Sequence, residues 1–284
     1  MSDFESRFGG IARLYGQEAL SKLRSSRVLI VGLGGVGTWA AEALARSGIS
    51  HIRLVDLDEI CISNVNRQLP ALEGTVGLPK VTVMAERLAL INPHGSFEAV
   101  QEFFTEESAA RLLGVREESG KWVSDPTLPM PDCVIDAIDS VANKCRLIAW
   151  CRRIGVPCVS CGGAGGRRDP TRIQTADLQA VTHDPLLSDV RKHLRQHHGF
   201  PRSPEPMGVS CVFSTESRLH PQPDGTVADT PAPADSNDSS RRLNCNWGYG
   251  SATPVTGTFG FVAAARTVEL LLRLEPSHPR TISR

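Results

Sequence analysis

Several things are scarce in this 284-residue chain, and each scarcity closes off a class of protein. Net charge is absent: 31 Lys+Arg stand against 31 Asp+Glu, which excludes a globally basic nucleic-acid coat and leaves only local basic patches. Two tyrosines, four tryptophans and nine phenylalanines are too few for a sheet that stacks bare bases. No run approaches eighteen uninterrupted apolar residues, because the most apolar stretch, near the carboxyl end, is broken by Thr256, Thr258 and Arg266. The opening Met1-Ser2-Asp3-Phe4-Glu5 is acidic and lacks the apolar core of a secretory signal, so none is expected. Eight cysteines sit mostly in apolar segments with no disulfide rhythm, which reads as reduced thiols in the cytoplasm. What is present is 40% hydrophobic residues, enough to bury a sizeable core.

Residues 27–160 repeat one pattern of a short β-branched run, a turn and a helical stretch. Strands are expected at 27–31, 51–55, 134–135 and 156–159, and helices at 36–47, 80–91 and 142–153. The second helix, 80–91, stops at Asn92-Pro93, since the residue before proline disfavours the helical region. Strands alternating with helices predict an α/β fold with a parallel sheet. Past 166 the rhythm weakens: a helix is expected over 184–198, a strand over 208–215 and an apolar helix over 258–274. The intervening 220–242 carries four prolines with several aspartates and serines, which predicts a mobile loop.

Gly32-Leu33-Gly34-Gly35-Val36-Gly37 lies between the first strand and the first helix. The first glycine permits a tight turn, Gly34 lets backbone N–H groups approach a phosphate, and Gly37 allows close packing of helix on strand. Asp56 ends the second strand 19 residues after Gly37, where a carboxylate can hold ribose hydroxyls. The glycine pattern alone is a weak signal; with strand, helix and Asp56 in register it predicts an adenine-nucleotide site. Three further segments, Asn64-Val65-Asn66-Arg67-Gln68, Gly77-Leu78-Pro79-Lys80 and Asp136-Ala137-Ile138-Asp139, follow strands of the same sheet. Singly, each charge reads as solvated surface. Together, an arginine, a lysine and a carboxylate fit a triphosphate and a divalent ion better than a dinucleotide.

These segments, with Leu54-Val-Asp-Leu-Asp58 and Asp136-Ala-Ile-Asp-Ser140, resemble the ubiquitin-activating-like, ThiF-type adenylating enzymes over about 8–165. The runs 7–16 (RFGGIARLYG), 162–166 (GGAGG), 211–216 (CVFSTE) and 256–263 (TGTFGFVA) make the chain similar to the tRNA threonylcarbamoyladenosine dehydratases within that superfamily. The resemblance implies a Rossmann-like ATP-binding fold, helices on both faces of a mostly parallel sheet, with an α/β extension over about 166–284, all one adenylating domain. It implies ATP as substrate and Mg2+ as cofactor. Gly32, Gly34, Gly35 and Gly37 would cradle phosphates, with Asp56 and Asp58 on the ribose side, and Asn64, Arg67, Gln68 and Lys80 around the nucleotide. Asp139 would bind the metal, and Arg13 would reach the site of a partner subunit in a homodimer. Arg13, Arg67, Lys80 and Asp139 are then the catalytic set. The implied partner is tRNA bearing threonylcarbamoyladenosine; docking of a sulfur-transfer protein is left open. Stable membrane insertion is not expected, although the terminal apolar helix leaves peripheral association open. The other reading of the same ATP site is adenylation of a ubiquitin-like sulfur carrier, whose enzymes usually carry two Cys-x-x-Cys zinc pairs; this chain has only Cys158-Val-Ser-Cys161.

That lone pair lies on an expected buried strand and reads as core, because a four-thiolate site needs a second pair. Cys245, just after the proline-rich segment, is a candidate reactive thiol, with an inert one as the alternative. Arg191, Lys192, Arg195 and Arg202, beside Arg167-Arg168, form the candidate contact to the tRNA backbone, against an ordinary solvated helix.

Overall fold

A computed structural model describes residues 2–231 and 249–273. Ser2 opens α1 (Asp3–Tyr15) with a capping box, its hydroxyl accepting from Glu5 N while the Glu5 carboxylate accepts from Ser2 N. Then come α2 (Gln17–Ser25), β1 (Arg27–Val31), α3 (Gly37–Arg46), β2 (His51–Val55), α4 (Lys80–Ile91) and β3 (Ser96–Val100). Next are α5 (Glu106–Leu112), the hairpin β4 (Val115–Glu118) and β5 (Lys121–Ser124), β6 (Cys133–Asp136), α6 (Val141–Ile154) and β7 (Cys158–Cys161). The chain continues through β8 (Ile173–Asp177), α7 (Pro185–His197), β9 (Ser210–Ser214), the short pair β10 (His220–Pro221) and β11 (Val227–Ala228), and α8 (Thr253–Arg273).

Seven strands form one sheet in the order β3-β2-β1-β6-β7-β9-β8, with every pairing parallel except β8 on β9. Alternation along the strands sends Val28 and Ile30 into one core and Leu29 and Val31 into the other. On the first face the strand residues meet α2, α3, α4 and α8; on the second they meet α5, α6 and α7. Helices on both faces and a mostly parallel sheet agree with the fold read from the sequence. Because six strands run the same way, their carboxyl ends share one edge, and a ligand cleft belongs there.

Three elements differ from expectation, and several were not expected. Strand β7 starts after Pro157 rather than at Val156, since proline has no N–H for the ladder and contributes only its carbonyl, to Val134 N. Helix α8 starts at Thr253, five residues early, because Thr253 donates to the Asn66 carbonyl through both N and Oγ1 and Pro254 fits a first helical turn. Within the expected mobile loop, 220–228 forms the β10–β11 hairpin around Asp224-Gly225, where Thr226 N donates to the Asp224 carboxylate. The rest of that expected loop, 232–242, lies outside the described residues, as does Cys245. The amino-terminal helices, β3, α5, the β4–β5 hairpin and the antiparallel edge strand β8 are additions.

Helix α8 is long and apolar enough to cross a membrane by composition, but 56% of its apolar window is buried in the protein. Val255, Phe259, Ala263 and Val268 pack into the core shared with α3. Cys158 and Cys161 are buried on β7. Burial pushes the Cys161 thiol up to about 12. A hydrogen bond to Cys151, then burial, push Cys158 up as well. Both are core thiols rather than accessible ligands.

Candidate active site

A cleft of about 1500 Å³ opens at the carboxyl edge of the sheet. Strand β1 delivers Gly32, whose φ of +94° turns the chain, and Gly37 then starts α3. A Cβ on Gly37 would lie 1.9 Å from the Gly32 carbonyl oxygen, so glycine is required for helix and strand to approach this closely. A Cβ on Gly34 would meet nothing within 4 Å, which leaves that stretch of backbone open to the cleft. Gly35 carries the stem of Arg67 against it, with Arg67 Cγ 3.2 Å from its ideal Cβ position.

Asp56, at the end of β2, accepts from Leu33 N at 2.5 Å and from Asp58 N at 2.8 Å, tying the glycine turn to the second strand. Burial pushes its carboxyl above the ordinary range, against the opposing pull of Lys80 and those two N–H groups. Lys80 begins α4 and is buried. Its ammonium lies 2.8 Å from Asp58 Oδ2 and 3.9 Å from Asp56 Oδ1. The lysine therefore sits between two carboxylates.

The 64–68 segment is a turn held from outside. Asn64 is buried and its Oδ1 accepts from Cys61 N. The Arg67 carbonyl accepts from the Trp39 indole, and the Arg67 guanidinium donates to Ser63 O at 2.7 Å and Asn66 Oδ1 at 3.0 Å. Gln68 is buried, and its Oε1 has no hydrogen-bond partner among the described residues, an acceptor available to a ligand donor. Asp139 is exposed in the cleft wall, with no hydrogen bond or ion pair among the described residues.

Behind Asp139 lies a fully buried ion pair. Lys144, from α6, donates to Asp136 Oδ2 at 2.8 Å, Ser160 Oγ at 3.3 Å and Cys161 O at 2.9 Å. Asp136 Oδ1 in turn accepts from Ile138 N at 3.1 Å, fixing the turn that presents Asp139. Burial works to lower the Lys144 pKa, but the attraction and hydrogen bond of Asp136 outweigh it, and the direction is upward. One ammonium thus pins the turn after β6 to the end of β7.

The structure brings Gly32, Gly34, Gly35, Asp56, Asp58, Asn64, Arg67, Gln68, Lys80 and Asp139 to one cleft. Gly37 acts one layer behind it, and Arg13 is exposed on α1, away from this chain's own cleft. Sequence reasoning missed Gly162, Gly163, Leu186, Arg218 and Tyr249, which form the opposite wall. The glycine run 162–166 directly after a strand was a signal for that wall; nothing local marks Arg218 or Tyr249.

The basic-patch expectation needs correction. Arg167 is 2% exposed and spends its guanidinium on the carbonyls of Gly163, Ser214, Glu216 and His183 and on Asp184. Arg191 donates to the Leu178 and Val181 carbonyls, and Arg195 to Pro201 O and the Gln179 side chain. Desolvated carbonyls nearby absorb these cations; Lys192, Arg168 and Arg202 stay exposed.

A sequence model of the ThiF family matches residues 9–283. The tRNA threonylcarbamoyladenosine dehydratase of Escherichia coli is 44% identical over 270 residues, 95% of this chain and 94% of that one. The enzyme of the same name from Haemophilus influenzae is 41% identical over 274 residues, 96% of each. A crystal structure of the E. coli dehydratase in complex with ATP superposes with a TM-score of 0.77 at 42% identity, covering 95% of this chain and 96% of that one.

Proposed function

The chain belongs to the ThiF family, and from that premise we propose that it is an ATP-dependent tRNA threonylcarbamoyladenosine dehydratase. The observation that carries the reading is one cleft holding a glycine cradle, ribose-side carboxylates, two cations and a free carboxylate, in a chain similar from end to end to enzymes of that name. ATP is the nucleotide, as in the E. coli complex.

The threonyl carboxylate of the modified adenosine attacks the α-phosphorus of ATP. The bond to the β-phosphate oxygen breaks, pyrophosphate leaves and an acyl-adenylate forms. A neighbouring atom of the same side chain then attacks the activated carbonyl carbon, the bond to AMP breaks, and the attacking group gives up its proton. The net change is loss of one water and closure of a ring. Intramolecular attack has a large effective-molarity advantage, so no protein nucleophile is needed.

The backbone of Gly32, Gly34 and Gly35 cradles the phosphates, with Gly37 holding the turn closed. Asp56 accepts ribose hydroxyls, with Asp58 beside it, and the free Gln68 Oε1 takes a nucleotide donor. Arg67 and Lys80 neutralise developing phosphate charge, and the buried Asn64 keeps the Arg67 turn in shape. Asp139, exposed and unpaired among the described residues, suits a hard divalent cation. Magnesium, when bound, spreads the charge of the leaving pyrophosphate.

Arg13 serves the cleft of a second subunit in a homodimer, an assignment supported by its exposure on α1 outside its own cleft. Arg13→Ala and Lys80→Ala proteins should each be inactive, and mixing them should restore activity; no restoration would place Arg13 outside catalysis. With tRNA as substrate, the reaction runs in the cytoplasm.

The direct test incubates tRNA bearing threonylcarbamoyladenosine with the protein, magnesium and ATP, followed by nucleoside mass spectrometry. Loss of one water, with AMP and pyrophosphate released, is expected. Unchanged nucleoside, with pyrophosphate exchange on adding a Gly-Gly-ending carrier protein, would replace this reading with the sulfur-carrier one.

A further inference from the structure

A second pocket, of about 560 Å³, adjoins the nucleotide cleft, and Arg218 and Tyr249 line both. Arg218 is only 14% exposed, and its Nε is buried without a hydrogen-bond partner among the described residues. Its nearest carboxylate among the described residues, Asp184, is 3.9 Å away. That carboxylate is already committed: Oδ2 accepts from Gly163 N and Arg167, and Oδ1 from Leu187 N. Two guanidiniums therefore share one carboxylate that already accepts three hydrogen bonds, and Arg218 keeps unspent donors among the described residues. Its Nη2 lies against Gly163, where a Cβ would come within 1.9 Å, so the glycine wall is shaped around it. Burying an arginine with donors unused is expensive unless a ligand takes them.

Tyr249 stands over the same guanidinium, 5.1 Å from ring centre to Arg218 Cζ, and meets the His220 ring edge-on with centroids 5.3 Å apart. It is 44% exposed, so part of the ring remains available for stacking. The second pocket is a poor home for phosphate, because the exposed carboxylates Asp189 and Asp229 line it. A neutral planar base meets no such penalty. The adenylation chemistry asks for one ligand with a flat base and a carboxylate several bonds away, the carboxylate delivered into the nucleotide cleft while the base stays outside.

Resting on the dehydratase reading, we propose that the second pocket seats the modified adenosine of the tRNA, with Tyr249 against the base and Arg218 gripping the threonyl carboxylate where the pocket meets the nucleotide cleft. A guanidinium binds a carboxylate in a two-point fork that an ammonium cannot reproduce.

The test measures binding, without ATP, of tRNA carrying threonylcarbamoyladenosine and of the same tRNA with unmodified adenosine, alongside ATP affinity. Wild-type protein should prefer the modified tRNA by roughly ten- to a hundredfold. Arg218→Gln should abolish the preference, leaving affinity for unmodified tRNA and for ATP within about twofold, which also certifies the fold. Arg218→Lys should keep part of the preference. Tyr249→Ala should weaken the modified tRNA and Tyr249→Phe should not. A preference surviving in Arg218→Gln, or a parallel fall in ATP affinity, overturns the assignment, as does wild-type turnover without any preference. Absence of both turnover and preference overturns the dehydratase reading itself.

Discussion

The two walls of the cleft are built from different materials. The nucleotide wall is backbone: glycine turns and N–H groups following consecutive strands, with Leu33 N and Asp58 N on Asp56 and the close passage of Gly37 over Gly32. The opposite wall is knitted by side chains over long sequence separations, with Arg167 alone joining Gly163, His183, Asp184, Ser214 and Glu216. Lys144 is the seam, since its ammonium bonds both the turn after β6 and the end of β7. A wall of backbone is set by local turn chemistry and tolerates drift in side chains. A wall of buried charge depends on each partner being present, because a lost partner leaves an uncompensated group out of water.

That contrast can be broken at the seam first. Lys144→Met should lower unfolding free energy by about 3–5 kcal/mol in denaturant titration, because Asp136 is left buried and unpaired. Adding Asp136→Leu should restore part of it; no recovery would mean the pair matters for packing rather than charge. On the nucleotide wall, Asp139→Ala should slow dehydration roughly a hundred- to thousandfold while leaving the melting temperature unchanged, since the carboxylate is exposed and unpaired among the described residues. Normal turnover would remove it from the reaction. On the opposite wall, Arg167→Lys keeps the charge but loses the fork to four carbonyls. It should lower stability by roughly 1–3 kcal/mol and impair use of tRNA, with ATP affinity retained. Equal damage to ATP binding would erase the distinction between the walls.

The smallest effect concerns pH. Asp56 has its folded pKa raised by burial, so its ionisation weighs against the folded state. For a raised carboxyl the penalty is absent below the unfolded pKa and fully present above the folded one. Asp56→Asn should therefore gain stability relative to wild type as pH rises from about 4 to 7. A difference that stays flat across that window would show that the carboxylate is not penalised.

The amino-acid order by itself determined the nucleotide wall. Helix α4 runs from Lys80 to Ile91 as periodicity and Pro93 dictate, and the turn from Gly32 to Gly37 needs residues only five apart. Asp224-Gly225 is local in the same sense, yet composition made 220–242 an expected loop and the hairpin that this turn chemistry forms went unread. Such features depend on backbone dihedrals and neighbours a turn away, so a linear reading reaches them. Only the tertiary structure decided which charges are surface and which are mortar. Arg167 and Arg168 are adjacent and look alike in sequence, yet one is sealed among carbonyls that include two distant segments, at 183 and 214–216, and the other faces solvent. Arg218 and Tyr249 meet Gly163 and Gly166 across more than fifty residues, through the crossover that sets β9 beside β7. Burial and hydrogen-bond supply are properties of that assembled neighbourhood, and no local pattern encodes them.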